Sequence, residues 1–167
     1  MKQTRIGRAG IVATLIAILF TVAQAPASAA PSGWHRLESF KTGQAVGLKI
    51  GQSWTKKFSV PGSEYQFLKK TGGYYEVVQN DKVWICLDSN HAGKVYGHSC
   101  NGGDFQRWRV EELGTKWTDF YQRSTPVYRL INKATGRCLD ANYDGDLYTL
   151  GCNGGTYQMW MHLAPWR

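Results

Sequence analysis

Two stretches of the chain repeat each other at a constant distance. Cys86-Leu87-Asp88 and Cys138-Leu139-Asp140 are each followed by a second cysteine, Cys100 and Cys152, and then by Gln-x-Trp, at Gln106-Arg107-Trp108 and Gln158-Met159-Trp160. Every corresponding pair lies 52 positions apart. A repeat with fixed internal spacing dictates architecture before any residue is given a role, because each copy is one supersecondary unit that buries its apolar face only against its neighbours. It also supplies an internal control. A residue required by the shared scaffold should recur, and one required locally need not.

A third, weaker copy lies upstream. Tyr128 through Asp140 reads against His35 through Gly47 without a gap at an offset of 93, and Tyr157-Gln158-Met159-Trp160 reads against Tyr65-Gln66-Phe67-Leu68 at an offset of 92. On this alignment Leu68 is the smaller third partner of the two tryptophans, which are expected to pack near a pseudo-threefold axis. Ala45 and Val60 stand where the other copies have cysteines. The step from Gln66 to Gln106 is 40, so about a dozen extra residues fall in the second step, most of them expected within Glu111 to Val127.

The first 29 residues are expected to be a secretory signal peptide: Lys2, Arg5 and Arg8, then an apolar stretch from Ile11 to Ala23, then the small-x-small site Ala27-Ser28-Ala29. The apolar stretch is short for a bilayer crossing and no later run approaches the required length, so no membrane span is expected. Export to an oxidising compartment favours disulfides among the four cysteines, for which three pairings exist. The pairing that treats both copies alike is Cys86 with Cys100 and Cys138 with Cys152. Each closes a loop of about 15 residues, worth about 3 kcal/mol in the chain-entropy model. Zinc is the competing use, since His91 and His98 lie between Cys86 and Cys100. Their counterparts in the other copy are Tyr143 and Leu150, so the cysteines recur without the histidines; no metal or other cofactor is expected. Removing Lys2, Arg5 and Arg8 lowers the formal charge from +8 to +5, and the remaining cations are scattered. Nucleic acid, which calls for a basic stripe, is not an expected partner.

Short alternating segments such as Tyr74 to Val78 and Tyr128 to Ile131 are separated by turn sequences such as Asn101-Gly102-Gly103 and Asn153-Gly154-Gly155. This predicts an all-β fold in which three copies of about four strands close a barrel with hairpin caps, leaving few exposed strand edges.

Copies of Cys-Leu-Asp, Cys-Asn-Gly-Gly and Gln-x-Trp behind a Tyr-Arg-Leu-Ile-Asn lead-in resemble the ricin B-chain type (QxW) lectin family, a β-trefoil, across residues 35 to 163. The resemblance implies one domain at 30–167, with repeats near 35–74, 75–127 and 128–167, that binds a glycan or polysaccharide without catalysis in up to one shallow pocket per copy. The family's sugar-binding carboxylate falls two places after the first cysteine, at Asp88 and Asp140; Gly47 breaks the pattern, so copy one is not expected to bind. The family's stacking aromatic falls at His98 and Leu150, and neither fits. Two places earlier, on the same face by strand alternation, stand Tyr96 and Tyr148. They either serve as displaced platforms, with His98 adding a polar contact, or merely cover the barrel. Phe105 and Tyr157 replace an asparagine often found before the conserved glutamine, and Gln106 and Gln158 are expected to hold backbone groups near the pocket. The copy-two pocket (Asp88, Tyr96, His98, Gln106) ranks ahead of the copy-three pocket (Asp140, Tyr148, Gln158).

The chain carries no nucleophile elbow, paired acidic motif or metal signature, so it is not expected to be an enzyme. The competing function is a trefoil with eroded pockets that binds or inhibits a protein. Trp117, Phe120 and Tyr121 cluster in the added segment, and aromatic residues anchor interfaces. In the plainer alternative Gly114 turns an extended hairpin whose aromatics fold back on the barrel.

Overall fold

The computed structural model describes residues 30–57, 64–79 and 83–163. The leader expected at 1–29 and Val60 lie outside the described residues. Twelve strands occur among the described residues: β1 (Arg36–Ser39), β2 (Gln44–Lys49), β3 (Gln52–Lys57), β4 (Tyr65–Lys69), β5 (Tyr74–Gln79), β6 (Ile85–Ser89), β7 (Val95–Ser99), β8 (Arg107–Thr118), β9 (Arg123–Asn132), β10 (Cys138–Ala141), β11 (Leu147–Leu150) and β12 (Trp160–Leu163). Six of them close a barrel. β1 pairs with β12, β12 with β9, β9 with β8, β8 with β5 and β5 with β4. Two backbone bonds between His35 and Tyr65, 2.9 and 2.6 Å, join β4 back to the start of β1. The other six form three hairpins, β2–β3, β6–β7 and β10–β11. This is a β-trefoil.

The hairpins meet in a ring. The backbone of Gly51 bonds to Gly97, Gly93 to Thr149 and Gly145 to Thr55, each at 2.8 to 2.9 Å, so the turn of each copy docks on the second strand of the next. Glycine is needed there twice over. Gly93 and Gly145 have φ of 85° and 96°, and a Cβ on either would sit 2.7 or 2.8 Å from the carbonyl oxygen it faces.

Trp108 and Trp160 are fully buried, and their indole N–H groups donate to the carbonyls of Leu87 and Leu139, both at 3.0 Å. The third partner is Tyr65 and not Leu68. Tyr65 is fully buried, whereas Leu68 is half-buried. Tyr65 faces Gln79 and His35 as Trp108 faces Asn132 and Tyr75, and as Trp160 faces Ser39 and Tyr128. Its hydroxyl lies 3.1 Å from the carbonyl of Val46, the residue aligned with Leu87 and Leu139. The bonded residues are 19 apart in copy one and 21 apart in the others, so copy one is two residues shorter here. The Tyr-Gln pairs at 65–66 and 157–158 match in letters but not in position. Gln66 is a strand residue opposite Val78, not the counterpart of Gln106.

With Tyr65 as the anchor, the step to Trp108 is 43, and the second step is longer by nine rather than by a dozen. The extra residues do fall between Glu111 and Val127, as a long β8–β9 hairpin. Gly114 does not turn it. Its φ of 79° forms a bulge where the register shifts between Glu112 and Thr115, and the tip lies at residues 119–122, with Gln122 at φ 48°. Tyr121 folds back: its hydroxyl donates to Glu38 and its ring packs beside Val127, Met161 and Leu163. Trp117 and Phe120 remain 57% and 51% exposed.

Both disulfides form as the repetition required, Cys86–Cys100 and Cys138–Cys152, with Cα separations of 5.1 and 5.0 Å. Thiols held this way offer no thiolate to a metal, and His91 and His98 are left to other roles.

Candidate functional site

Each hairpin places one residue of its first strand directly across from an aromatic of its second: Gly47 from Trp54, Asp88 from Tyr96 and Asp140 from Tyr148. In copies two and three the connection after the hairpin is a tight turn built by an asparagine. Asn101 and Asn153 accept a bond from the backbone two residues on, both at 2.8 Å, and a short 3₁₀ turn follows that buries Gln106 or Gln158. Gln106 Nε2 donates to Asp88 Oδ2 at 2.8 Å and to the carbonyl of Ser99 at 3.0 Å, while its Oε1 accepts from Asn101 N at 2.8 Å. Gln158 repeats this with Asp140 Oδ2, the carbonyl of Gly151 and Asn153 N, each at 3.0 Å. Every polar atom of the two glutamine heads is thereby occupied by scaffold groups.

The aspartates are fixed by one oxygen and left with another. Asp88 and Asp140 are 5% and 3% exposed, and in both the Oδ1 atom is buried without a hydrogen-bond partner. A buried carboxylate oxygen in that state costs free energy until it accepts a donor. The tyrosine opposite each one is close enough to register it. Burial raises the phenol pKa of Tyr96 and of Tyr148 first, and the adjacent carboxylate raises it further by disfavouring the phenolate. Neither phenol completes a bond of full geometry to Oδ1.

The third copy opens into a cavity of about 410 Å³ lined by Asp140, Asp144, Tyr143, Tyr148, Leu150, Asn153 and Tyr157, among others. Tyr143 and Tyr157 stand edge-on to each other, centroids 5.9 Å apart. The second copy carries the counterpart pair, His91 and Phe105, edge-on at 5.0 Å. His98 is exposed, with Nδ1 2.9 Å from the carbonyl of Ser99, and its ring lies 6.5 Å from that of Tyr96. Sequence reasoning missed Tyr143 and Tyr157. Their signal was present: the position before the repeated glutamine is aromatic in both copies, Phe105 and Tyr157, and a residue type that recurs at one place points to a wall of the pocket.

Among the described residues of copy one, a side chain fills the matching place. A Cβ added to Gly47 would lie 2.4 Å from the ring of Trp54, so the indole rests where the other copies hold a carboxylate, with the Lys49 ammonium 6.0 Å over it.

No protein-family model matches the sequence. The fold is similar to that of a designed threefold-symmetric protein, ThreeFoil, at 21% identity, over 78% of this chain and 97% of that one, with a TM-score of 0.63. It is also similar to BEL β-trefoil at 13% identity, over 83% and 97% of the two chains, with a TM-score of 0.62. A third similar structure is the exo-β-1,3-galactanase 1,3Gal43A from Clostridium thermocellum, at 18% identity and a TM-score of 0.61. There the match covers 78% of this chain and 30% of the galactanase. At these identities the likeness establishes the fold.

Proposed function

We propose that the protein is an exported, non-catalytic carbohydrate-binding β-trefoil of the ricin B-chain type, with its better-formed sugar pocket in the third copy rather than the second. The observation that carries this reading is the third-copy cavity: a carboxylate held by one oxygen, with the other unpartnered, beside three tyrosine rings. A pyranose needs an acceptor for its hydroxyls and a flat apolar surface for its C–H face, and that combination is present. The leader sequence and two disulfides support export. Among proteins of similar fold, the galactanase is named for action on a carbohydrate. Absence of catalysis predicts that no bound polysaccharide is cleaved.

The test is a glycan array, with insoluble polysaccharides included, run on the wild type beside Asp140→Asn and Tyr157→Ala. Asparagine can still accept the Gln158 bond, so the first change leaves the turn intact. Losses of about tenfold or more in affinity are expected from each, the size of one good polar or aromatic contact. Silence of the wild type on every glycan, or full binding by both variants, would sink the proposal. A second reading, a protein-binding module, is favoured by the exposure of Trp117 and Phe120; Tyr121 is already engaged by Glu38.

A further inference from the structure

The nine residues that copy two has and copy one lacks build a second hollow beside the first. It measures about 430 Å³, and Lys41, Trp117, Thr118, Asp119, Phe120 and Tyr143 line it. Tyr143, 53% exposed, is also a wall of the third-copy cavity, so the two hollows share this residue. Lys41 links them again, because its ammonium lies 6.0 Å over the ring of Tyr157.

The aromatic surfaces here are held in place. The Trp117 indole N–H donates to Asp119 Oδ1 at 3.1 Å, which fixes the ring plane while leaving most of it open to solvent. Phe120 lies against Gly43, where a Cβ would come within 3.0 Å of the ring. An exposed ring that is tethered rather than free loses little side-chain entropy when a ligand stacks on it. Thr118 is 2% exposed and its Oγ1 is buried without a hydrogen-bond partner, as Asp140 Oδ1 is in the neighbouring cavity. Each hollow thus combines aromatic faces, a carboxylate and one unpartnered buried oxygen.

We propose that the β8–β9 hairpin adds a second sugar subsite to the third-copy pocket, so that the protein takes an oligosaccharide of two or more units across Tyr143 and not a single terminal sugar. This rests on the carbohydrate-binding reading above and names the ligand class it would serve. The ligand is an internal stretch of a glycan chain: one unit sits over Asp140 and the next presents its C–H face to Trp117 or Phe120. Asp119 and the Lys41 ammonium are available to the hydroxyls at its edge.

The experiment is titration calorimetry with size ladders of cello-, chito-, xylo- and galacto-oligosaccharides, from monomer through hexamer, on the wild type, Trp117→Ala, Phe120→Ala and Asp140→Asn. The first two rings are exposed, and a thermal melt verifies that their removal leaves the fold intact. The wild type is expected to gain about tenfold in affinity between monomer and trimer, as one added aromatic contact would give. Trp117→Ala is expected to abolish that gain while leaving the weaker monomer binding unchanged. Asp140→Asn should lower binding at every length. A wild type that binds all lengths equally, or a Trp117→Ala/Phe120→Ala double variant that keeps the gain, overturns the second subsite while leaving the sugar pocket standing. A wild type that binds no ladder and no arrayed glycan overturns the underlying reading as well. A length gain untouched by the variants, together with Trp117-dependent cross-linking to a protein, overturns the subsite in favour of a protein interface.

Discussion

The first and third hairpins share a backbone register and differ in what it displays. Gly47 faces Trp54 and Asp140 faces Tyr148, yet the first pair is a filled surface and the second is the floor of a hollow. Beneath them the scaffold is the same. A buried aromatic donor reaches the carbonyl one residue earlier in the strand, Tyr65 to Val46 and Trp160 to Leu139. The contrast separates two sets of requirements. Each copy supplies a buried donor to the axis, whereas only two of the three hairpins carry the carboxylate.

The strongest way to break this comparison is to test whether Tyr65 is the third core anchor. Tyr65→Ala is expected to cost about 3–5 kcal/mol, the range for emptying a large aromatic from a packed core. Leu68→Ala should cost far less, since Leu68 is half-buried. The subtler change is Tyr65→Phe. The hydroxyl shares its proton between the Val46 carbonyl at 3.1 Å and Gln79 Oε1 at 2.9 Å, and losing it leaves a buried acceptor unmet at about 1–3 kcal/mol. Urea melts of the three variants decide the matter, and a larger loss for Leu68→Ala than for Tyr65→Ala would restore the letter-by-letter alignment.

Next in size are the disulfides that copy one lacks. Replacing Cys138 and Cys152 by serine is expected to remove about 3 kcal/mol, and replacing Cys86 and Cys100 the same amount, because both loops span 14 positions. Unequal losses in melts of the two double variants would show that the copies are not energetically equivalent.

These bonds and the barrel were legible in the chain because identical spacing repeats the same constraint twice. Copy one was only half legible. Its lead-in aligned because strand β1 and strand β9 carry matching residues, but its end misaligned because the two-residue deletion sits upstream of a chance Tyr-Gln pair. What the position requires is a buried donor within reach of Val46, and a tyrosine meets that as well as a tryptophan. The site was less legible for a related reason. Tyr143 belongs to a hairpin loop, and its partnership with Tyr157 across the cavity depends on three-dimensional proximity that no local pattern encodes.

A smaller effect probes the filled pocket directly. Gly47→Ala forces the Trp54 ring to move, since the new Cβ would fall 2.4 Å from it, and overpacking of this kind costs about 1–3 kcal/mol. A thermal melt showing Gly47→Ala to be neutral would mean that Trp54 is not locked in place.

The smallest effect concerns the seam where copy three meets copy one. Two residues beyond Tyr65, Trp108 and Trp160 the core layer continues with Phe67, Val110 and His162, so one seam carries an imidazole where the others are apolar. His162 stacks on His35 at 5.0 Å and lies 4.3 Å from Phe67 and 6.1 Å from Tyr128. The residue as a whole is half-buried, but both ring nitrogens are buried and without hydrogen-bond partners. Burial, and to a lesser degree the neighbouring His35, lowers its pKa from 6.5 to about 3. The unfolded chain therefore binds a proton below pH 6.5 that the folded chain refuses until about pH 3, and stability falls as the pH drops through that window. The slope is at most about 1.4 kcal/mol per pH unit. Glu38 acts in the opposite sense, because burial raises its carboxyl pKa above 4.5 and its contribution grows as the pH falls. His162→Phe, which gives this seam the residue of copy one, should flatten the acid limb and leave the Glu38 contribution visible. Urea midpoints from neutral to acidic pH measure it directly, and an unchanged slope in His162→Phe would mean that the imidazole is not held neutral.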